Sequence, residues 1–473
     1  MLSLQTILSA LTEQNIAPLD LRINDAVIDS RQATEGSLFI ALPGERVDGH
    51  DYVQAAFDHG AVLALVEKEM PVSFQVLDLR REHFPPEAES LTTPLCLLVE
   101  NTLTALQEIA AYWRRQHDIK VVGITGSVGK TSTKELTASL LSQKFNVLKN
   151  PGNRNNEIGL PLTLLELGPQ HDLAVLEMGF YVPGEIQTLC EIGQPQVGVI
   201  SNIGTVHAER AGSQETIARG KAELVESLPE GPEGVAILNM DDPWVRWMAD
   251  RTKADVFSYG IIEGADLTAS EIQPLGLEGI ACTLTYQGKT HLVRSPLMGE
   301  FSAYTILRAV AAALVSGVTW EQIIDALAVS NVDIRMRPFT LREGVTLLDD
   351  TYNASPVSTE AALKLLKGLQ GRRVAILGDM LELGQYEEEG HQSVGAFAAD
   401  AADVLILVGE RSKTTANAAL EEGFPEENLQ WYPDSEKAAE PAANTLQKGD
   451  VVLIKGSNSM RMDKIINRLE KNL

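Results

Sequence analysis

The stretch Val121-Val122-Gly123-Ile124-Thr125-Gly126-Ser127-Val128-Gly129-Lys130-Thr131 decides the fold class of this chain. An apolar, strand-like run ends in a glycine-rich turn, and the residues from Thr131 to Leu141 then follow a helical pattern. In such a strand–turn–helix unit, the N–H groups of the turn and the helix N-terminus together bind phosphate oxygens. The stretch therefore predicts a phosphate site on an α/β fold.

The loop departs from the common pattern GxxxxGKT, because position 124 is isoleucine and the glycines stand at positions 123 and 126. The alternative is an ordinary glycine-rich turn with a surface lysine. Strand, turn, Gly-Lys-Thr and helix nevertheless follow in the order that phosphate binding requires. Lys130 would contact the β- and γ-phosphates, and the Thr131 hydroxyl would reach Mg²⁺. We expect nucleotide binding by Thr125, Gly126, Ser127, Val128, Gly129, Lys130, Thr131 and Ser132.

Further apolar runs rich in β-branched residues recur along the chain, separated by helix-like segments. They cover 173–176, 197–200, 235–238, 345–348, 373–377, 404–408 and 451–454. Continuous apolar runs of this kind are typical of parallel strands buried on both faces. We expect three α/β domains: an N-terminal one over 1–117, a central P-loop ATPase domain with a mostly parallel sheet over 118–333, and a Rossmann-like one over 334–473.

Composition limits the class of protein. The chain has 473 residues, more than one hydrophobic core usually serves, and is 44% hydrophobic and 22% charged, as globular proteins are. Its net charge of −26 argues against nucleic acids and anionic membrane surfaces as partners.

The cysteines and the N-terminus bear on the compartment. The three cysteines form no CxxC pair, which fits a reducing compartment. The N-terminus has no basic n-region, and no apolar run reaches the ~20 residues of a membrane span. We expect a cytoplasmic protein that is not integral to a membrane.

Polar side chains follow the predicted strands at the edge where ligands of parallel sheets bind. Glu177 comes directly after the run 173–176, and Asn202 and His207 follow the next run. Oxygen ligands suit Mg²⁺, so Glu177 is a candidate ligand and His207 a weaker one. Each could instead be an ordinary capping or surface residue. Asp350 ends a predicted strand in the last third of the chain. A carboxylate at this position suits the hydroxyl groups of a ribose, but an aspartate can also end a strand without binding any ligand.

Six ordered segments resemble the Mur ligase family. They are TGSVGKTSTKE (125–135), NPGNRNNEIGLP (150–161), LEMG (176–179), SNIGTVHAE (201–209), DDTYNASP (349–356) and GDMLELG (378–384). The first domain carries Asp29-Ser30-Arg31, Gly44 and Asp48-Gly49-His50, similar to the UDP-sugar-binding domain of the members that add the third residue or the terminal dipeptide. The segments DDTYNASP and GDMLELG resemble the dipeptide-adding members. A DNPR motif, usual in the third-residue ligases, is absent.

The resemblance implies roles for particular residues. Lys130, Glu177, His207, Lys221 and Arg335 would be catalytic, with Arg335 touching phosphate. Thr131, Glu177, His207 and Lys221, the last as a carbamate, would hold Mg²⁺. Asn156, Thr305 and Asp350 would contact the nucleotide, although Thr305 stands where the family pattern GxHNxxNA has asparagine. Substrate would be bound by Ser30, Arg31, Gly44, His50, Asn353 and Lys455.

The resemblance also implies a reaction. ATP would phosphorylate the carboxylate of UDP-MurNAc-tripeptide, and the amine of D-alanyl-D-alanine would displace phosphate to give UDP-MurNAc-pentapeptide for peptidoglycan synthesis. We expect ATP and Mg²⁺ as cofactors and a monomeric enzyme. Three alternatives stay open: a third-residue ligase, a folylpolyglutamate-type ligase, and a P-loop motor or regulatory NTPase without an amine substrate.

Overall fold

The structure is a computed structural model of the whole chain. It describes residues 2–12, 14, 21–44, 46–80, 91–206, 208–330, 336–341 and 344–472. Within these ranges, every helix is too short or too polar to cross a membrane.

The strands are numbered in chain order. They are β1 Ala26–Val27, β2 Leu38–Ile40, β3 Leu63–Val66, β4 Gln75–Asp78, β5 Leu95–Leu98, β6 Lys120–Thr125, β7 Val147–Lys149, β8 Leu173–Glu177, β9 Val197–Ile200, β10 Val235–Asn239, β11 Asp255–Gly260, β12 Leu267–Pro274, β13 Ile280–Tyr286, β14 Lys289–Ser295, β15 Arg337–Thr340, β16 Thr346–Asp350, β17 Arg373–Gly378, β18 Val404–Val408, β19 Leu429–Tyr432 and β20 Val451–Lys455.

The α-helices are numbered in the same way. They are α1 Leu4–Thr12, α2 Val53–Asp58, α3 Thr102–Arg115, α4 Lys130–Leu141, α5 Gly159–Leu164, α6 Glu185–Gly193, α7 Ala208–Ala211, α8 Gln214–Glu226, α9 Pro243–Trp247, α10 Ser302–Val315, α11 Trp320–Val329, α12 Pro356–Lys367, α13 Glu387–Ala401, α14 Ser412–Glu421, α15 Ser435–Thr445 and α16 Asp463–Asn472.

The chain divides into two compact units. The first comprises 1–123, 145–179 and 185–196, and the second comprises 124–144, 180–184 and 197–473. The predicted boundary at 333/334 lies in a stretch outside the described residues. Both predicted domain boundaries stay predictions.

The first unit contains an all-parallel sheet with strand order β1-β2-β3-β5-β4. A core of apolar side chains that includes Phe39, Val53, Ala64 and Cys96 covers it. In the same unit β7 pairs with β8 in parallel, which brings Glu177 to the end of a buried strand.

In the second unit, β9, β10, β11 and β12 pair in parallel, and of these strands the sequence pattern predicted β9 and β10. The strands β12, β13 and β14 then form an antiparallel meander that the sequence pattern did not predict. The strands β12 and β14 mix buried with exposed residues, and polar residues interrupt the apolar ones in all three strands, so the meander lacks the continuous apolar runs used to identify the other strands.

The C-terminal sheet has the order β15-β16-β20-β17-β18-β19, parallel except for β15. Alternate residues of one strand enter different cores: Val451 and Leu453 pack on one face, Val452 and Ile454 on the other. This is the arrangement of a strand covered by helices on both sides. The predicted α/β class with mostly parallel sheets is confirmed.

Candidate active site

The predicted phosphate loop joins β6 to α4. Gly126 has a φ of +141° and Gly129, which precedes the first residue of α4, has a φ of +86°. A Cβ at Gly126 would lie 1.8 Å from Oγ of Ser201, so only glycine fits at this position. The loop thus turns tightly and begins a helix whose N-terminal N–H groups favour anions.

The segment after β9 holds the loop in this shape. The amide of Asn202 accepts a hydrogen bond from the N–H of Val128 at 3.0 Å and donates one to the carbonyl of Val128 at 3.1 Å. Oγ of Ser127 accepts one from the N–H of Gly204 at 2.8 Å. These contacts pre-organise the loop. The sequence predicted that Asn202 lies at the carboxyl edge of the sheet, but it gave no sign that Asn202 hydrogen-bonds the phosphate loop.

Lys130, the first residue of α4, folds back over its own loop. Its Nζ donates to the carbonyl of Gly126 at 2.8 Å and to that of Ser127 at 3.3 Å. The ammonium therefore lies against the turn whose N–H groups would bind phosphate, and its contact with the β- and γ-phosphates stays a prediction.

A cavity of about 1070 Å³ in the second unit is lined by residues from distant parts of the sequence. Nine of the predicted site residues line it: Ser127, Val128, Gly129, Thr131, Ser132, Thr305, Asp350, Asn353 and Lys455. One cavity therefore joins the phosphate loop to the segment DDTYNASP and to the end of β20.

Asp350 and Lys455 form a buried ion pair at that cavity. Nζ of Lys455 lies 2.5 Å from Oδ2 of Asp350 and also donates to the carbonyl of Asn353 at 2.9 Å. The next helix, α12, begins with a capping box in which Ser355 accepts from the N–H of Ser358. The Oγ of Ser355 thus supplies the N-cap oxygen of α12.

Lys221 lies in the middle of α8 and is fully buried. Its Nζ donates to the carbonyl of Gly126 at 3.1 Å and lies 4.7 Å from the ring centroid of Phe180. The fold thus places the amine of Lys221 against the phosphate loop.

Thr305 and Arg308, one turn apart on α10, both line the cavity. Nη2 of Arg308 donates to Oγ1 of Thr305 at 3.0 Å, and its Nε donates to Oγ1 of Thr133 at 2.8 Å. Arg308 was not among the residues predicted from the sequence. A signal was available, since Arg308 is the one charged residue in the largely apolar segment 302–315.

Glu177 belongs to the first unit, where it is fully buried at the end of β8. Its Oε1 accepts from the side-chain amide of Asn155 at 2.8 Å, and Asn150 bonds its backbone N–H and carbonyl at 2.9 Å each. The polar segment 150–161 is thus packed around Glu177. Asn156, predicted to contact the nucleotide, accepts from the N–H of Gly159 at 2.9 Å and so caps α5.

The residues predicted to bind the nucleotide sugar also lie in the first unit. Arg31 is exposed and hydrogen-bonds Asp29, which lowers the pKa of that carboxyl to about 2. Ser30 is buried, and its carbonyl lies 3.0 Å from Nδ1 of His59. Gly44 is exposed in a turn closed by a hydrogen bond from its N–H to the carbonyl of Val47.

Both ring nitrogens of the buried His50 are used within the fold. Nε2 accepts from the N–H of Glu67 at 3.0 Å, and Nδ1 lies 2.6 Å from Oδ1 of Asp48. Lys68 and His50 together hold the pKa of Asp48 well below its usual range. This geometry makes His50 an organiser of its loop.

Two predicted catalytic residues, His207 and Arg335, lie outside the described residues. Within the described ranges, no group of three or more His, Cys, Asp or Glu side chains is arranged to hold a metal ion. Mg²⁺ usually takes one or two protein oxygens beside substrate phosphates and water, so a protein cage is not needed. The hydroxyl of Thr131 and the carboxylate of Glu177 are hard oxygen donors of the type that this ion prefers.

The fold and the loop define the class: this is an α/β protein with a P-loop nucleotide site. Family models match most of the chain: the Mur ligase family catalytic domain over 22–114, the Mur ligase middle domain over 124–313, and the Mur ligase glutamate ligase domain over 334–458.

Individual relatives agree with these matches. The chain is 38% identical over 454 residues to UDP-N-acetylmuramoyl-tripeptide–D-alanyl-D-alanine ligase of Synechocystis sp., covering 95% of this chain and 92% of that protein. It superposes on a crystal structure of MurF from Acinetobacter baumannii with a TM-score of 0.85 and 32% identity over 99% and 98% of the two chains. The MurF ligase of Thermotoga maritima in complex with ADP matches with a TM-score of 0.80 and 28% identity, covering 96% and 99%. The chain belongs to the Mur ligase family and is a ligase.

Proposed function

We propose that this chain joins D-alanyl-D-alanine to UDP-MurNAc-tripeptide at the expense of ATP, giving UDP-MurNAc-pentapeptide, ADP and phosphate. The activity named for the Synechocystis relative described above supports this substrate pair. The observation that carries the proposal is the cavity lined by both the phosphate loop and the segment DDTYNASP. A ligase needs its nucleotide and its acceptor in one cleft, because the activated acyl group must meet the amine before water does.

The first chemical step is activation of the tripeptide carboxylate. A carboxylate oxygen attacks the γ-phosphorus of ATP, the bond to the β-phosphate oxygen breaks, and ADP leaves. Two anions approach each other in this step, so cations beside the γ-phosphate lower the barrier. Lys130 would serve as one such cation. Its Nζ donates to the carbonyls of Gly126 and Ser127, and it would exchange these hydrogen bonds for phosphate oxygens when a nucleotide binds.

Mg²⁺, held by Thr131 and Glu177 with His207 and Lys221 as further candidate ligands, would neutralise charge on the transferring phosphate.

The second step forms the amide bond. The amine of the dipeptide attacks the acyl carbon, the tetrahedral intermediate collapses with loss of phosphate, and the nitrogen gives up a proton. Holding amine and acyl phosphate within reach supplies on the order of 7–11 kcal/mol in well-oriented systems. Asn353 and Lys455 line the cavity and are our candidates for positioning substrate, with Asp350 beside the nucleotide ribose and Arg335 on phosphate.

Uridine diphosphate recognition falls, on this proposal, to the first domain, with Arg31 as the exposed cation. We further propose a monomeric enzyme that acts in the cytoplasm and has no nucleic-acid partner, in line with its net charge of −26.

A panel that measures ADP release with each combination of UDP-MurNAc-peptide and amine tests the function. We expect turnover only with UDP-MurNAc-tripeptide and D-alanyl-D-alanine together. Turnover with UDP-MurNAc-dipeptide and a diamino acid would assign a third-residue ligase, and turnover with a folate and glutamate would assign a folylpolyglutamate-type ligase. Rapid ATP hydrolysis that is indifferent to every amine would assign an NTPase.

A further inference from the structure

Arg308 is a charged side chain in an apolar environment. It is 3% exposed, and its helical neighbours Leu307 and Ala309 are fully buried. Removing a guanidinium from water is costly unless an anion or a set of hydrogen-bond acceptors compensates for the lost solvation. What surrounds this cation therefore indicates what it binds.

The protein groups that hold Arg308 are neutral. Thr133 and Thr305 accept hydrogen bonds from it through their hydroxyl oxygens. Across the described part of the chain, no carboxylate oxygen lies within the 4.0 Å of an ion pair with this guanidinium. Burial raises the pKa of the Tyr259 hydroxyl to about 12, although the nearby guanidinium opposes the shift, so Tyr259 is neutral too. Among the residues that the structure describes, the charge therefore has neutral hydrogen-bond partners and no carboxylate at ion-pair distance.

The position of Arg308 indicates where a counter-ion binds. The side chain lines the same cavity as Ser127, Gly129 and Thr131. Its Nη2 lies 2.9 Å from the point that a Cβ on Gly129 would occupy, so the guanidinium packs directly against the residue before α4. Five N–H donors belong to a guanidinium, and two of them are used in the bonds to threonine.

We propose that Arg308 binds the polyphosphate of the nucleotide and is its second cation beside Lys130. Thr305 then has a different role from the family asparagine: its hydroxyl orients Arg308 instead of contacting the base. The proposal rests on the proposed function only in taking a nucleoside polyphosphate as the ligand. A planar guanidinium suits phosphate oxygens because it can donate two parallel hydrogen bonds.

Nucleotide binding to the Arg308→Met variant, measured by isothermal titration without acceptor substrates, tests the proposal. We expect its affinity for ADP to fall at least tenfold, and its affinity for adenosine, measured by competition, to stay within twofold of wild type. Binding of inorganic tripolyphosphate should fall with that of ADP. Arg308→Lys should keep part of the ADP affinity. Arg294→Met, which changes an exposed arginine on β14, is the matched control and should bind ADP as wild type does.

Each outcome of these binding measurements supports or overturns the proposed role of Arg308. Equal losses of ADP and adenosine affinity would mean that Arg308 only supports the packing of α10 on α4, and unchanged ADP affinity would also overturn the proposal. If Arg308→Met does not fold, Thr305→Val replaces it: this variant keeps the cation and removes one hydroxyl that orients it. It should then weaken ADP more than adenosine, and equal binding of both would refute the role. Wild-type protein that fails to bind ADP would instead refute the proposed function.

Discussion

Nζ of Lys455 lies 2.5 Å from Oδ2 of Asp350, and the two residues are direct register partners at the carboxyl ends of β20 and β16. Parallel strands end at the same edge of a sheet, so pairing of these strands places both charges at the cavity. Both side chains are largely buried, so each charge compensates the other where little water reaches them.

Replacing Lys455 by methionine should destabilise the fold, because it leaves the carboxylate of Asp350 buried without this cation. We expect a loss of about 3–5 kcal/mol in the free energy of unfolding, measured by urea denaturation. The double variant Lys455→Met, Asp350→Asn should recover part of that loss, since the buried charge is gone. Additive losses in the double variant would show that the two side chains do not interact energetically.

Lys130→Ala and Glu177→Ala should each lower kcat on the order of 10²-fold or more, because each would act on charge that develops at the transferring phosphate. Steady-state ADP release with saturating substrates measures this, and circular dichroism checks the fold. Lys289→Ala, which changes an exposed lysine on β14, is the control and should keep the wild-type rate. A folded Lys130→Ala or Glu177→Ala enzyme with near-native kcat would remove that residue from the site.

We expect Lys221 to work as a carbamate, formed when its neutral amine adds CO₂. The carbamate would supply two oxygen donors for a hard cation such as Mg²⁺. Bicarbonate should raise the activity of wild-type enzyme in CO₂-depleted buffer, and short carboxylic acids should partly restore Lys221→Ala. Wild-type activity in Lys221→Arg would contradict the idea, since a guanidinium does not form this carbamate.

Arg31 and His50 should respond differently to replacement by alanine. Arg31 is exposed, so Arg31→Ala should mainly raise KM for the nucleotide sugar and leave the melting temperature unchanged. His50 is buried with both ring nitrogens engaged, so His50→Ala should lower the melting temperature because it leaves the N–H of Glu67 without its acceptor. A KM effect of Arg31→Ala confined to ATP would place Arg31 elsewhere.

Gly384, in the segment GDMLELG, touches α7, the helix that directly follows His207 in sequence. It has a φ of +55°, and a Cβ there would lie 2.9 Å from both N and Cα of Glu209. Gly384→Ala should cost about 1–2 kcal/mol for the left-handed backbone and about 1–3 kcal/mol more for the clash.

Gly423→Ala is the matched control for Gly384→Ala. Gly423 has a φ of +87°, and nothing lies within 4 Å of its Cβ position, so only the backbone cost applies. Urea denaturation of both variants compares them. If Gly384→Ala and Gly423→Ala lose the same stability, the added methyl group at Gly384 is accommodated against α7 without a further energetic cost.

Each apolar run named from the sequence matches an observed parallel strand to within two residues, but other parallel strands, among them β1 to β5, were not predicted. Runs such as Val404–Val408 match the observed strands because a strand buried on both faces must be apolar throughout. The antiparallel strands β12 to β14 escaped prediction, because a half-exposed strand mixes polar with apolar residues.

The sequence by itself determined the strand–helix alternation and the position of the loop after β6, because apolar runs and glycines are local features of the chain. The shape of that loop also depends on Asn202, which is 74 positions from its hydrogen-bond partner Val128. Gly129 adopts its left-handed conformation and α4 begins beside it for local steric reasons. Only the tertiary structure decided the environments of Lys221 and Arg308, whose hydrogen-bond partners Gly126 and Thr133 are 95 and 175 positions away. The chemical behaviour of a lysine or an arginine depends on how deeply it is buried and on the charges of residues distant in sequence. A local sequence pattern contains neither kind of information.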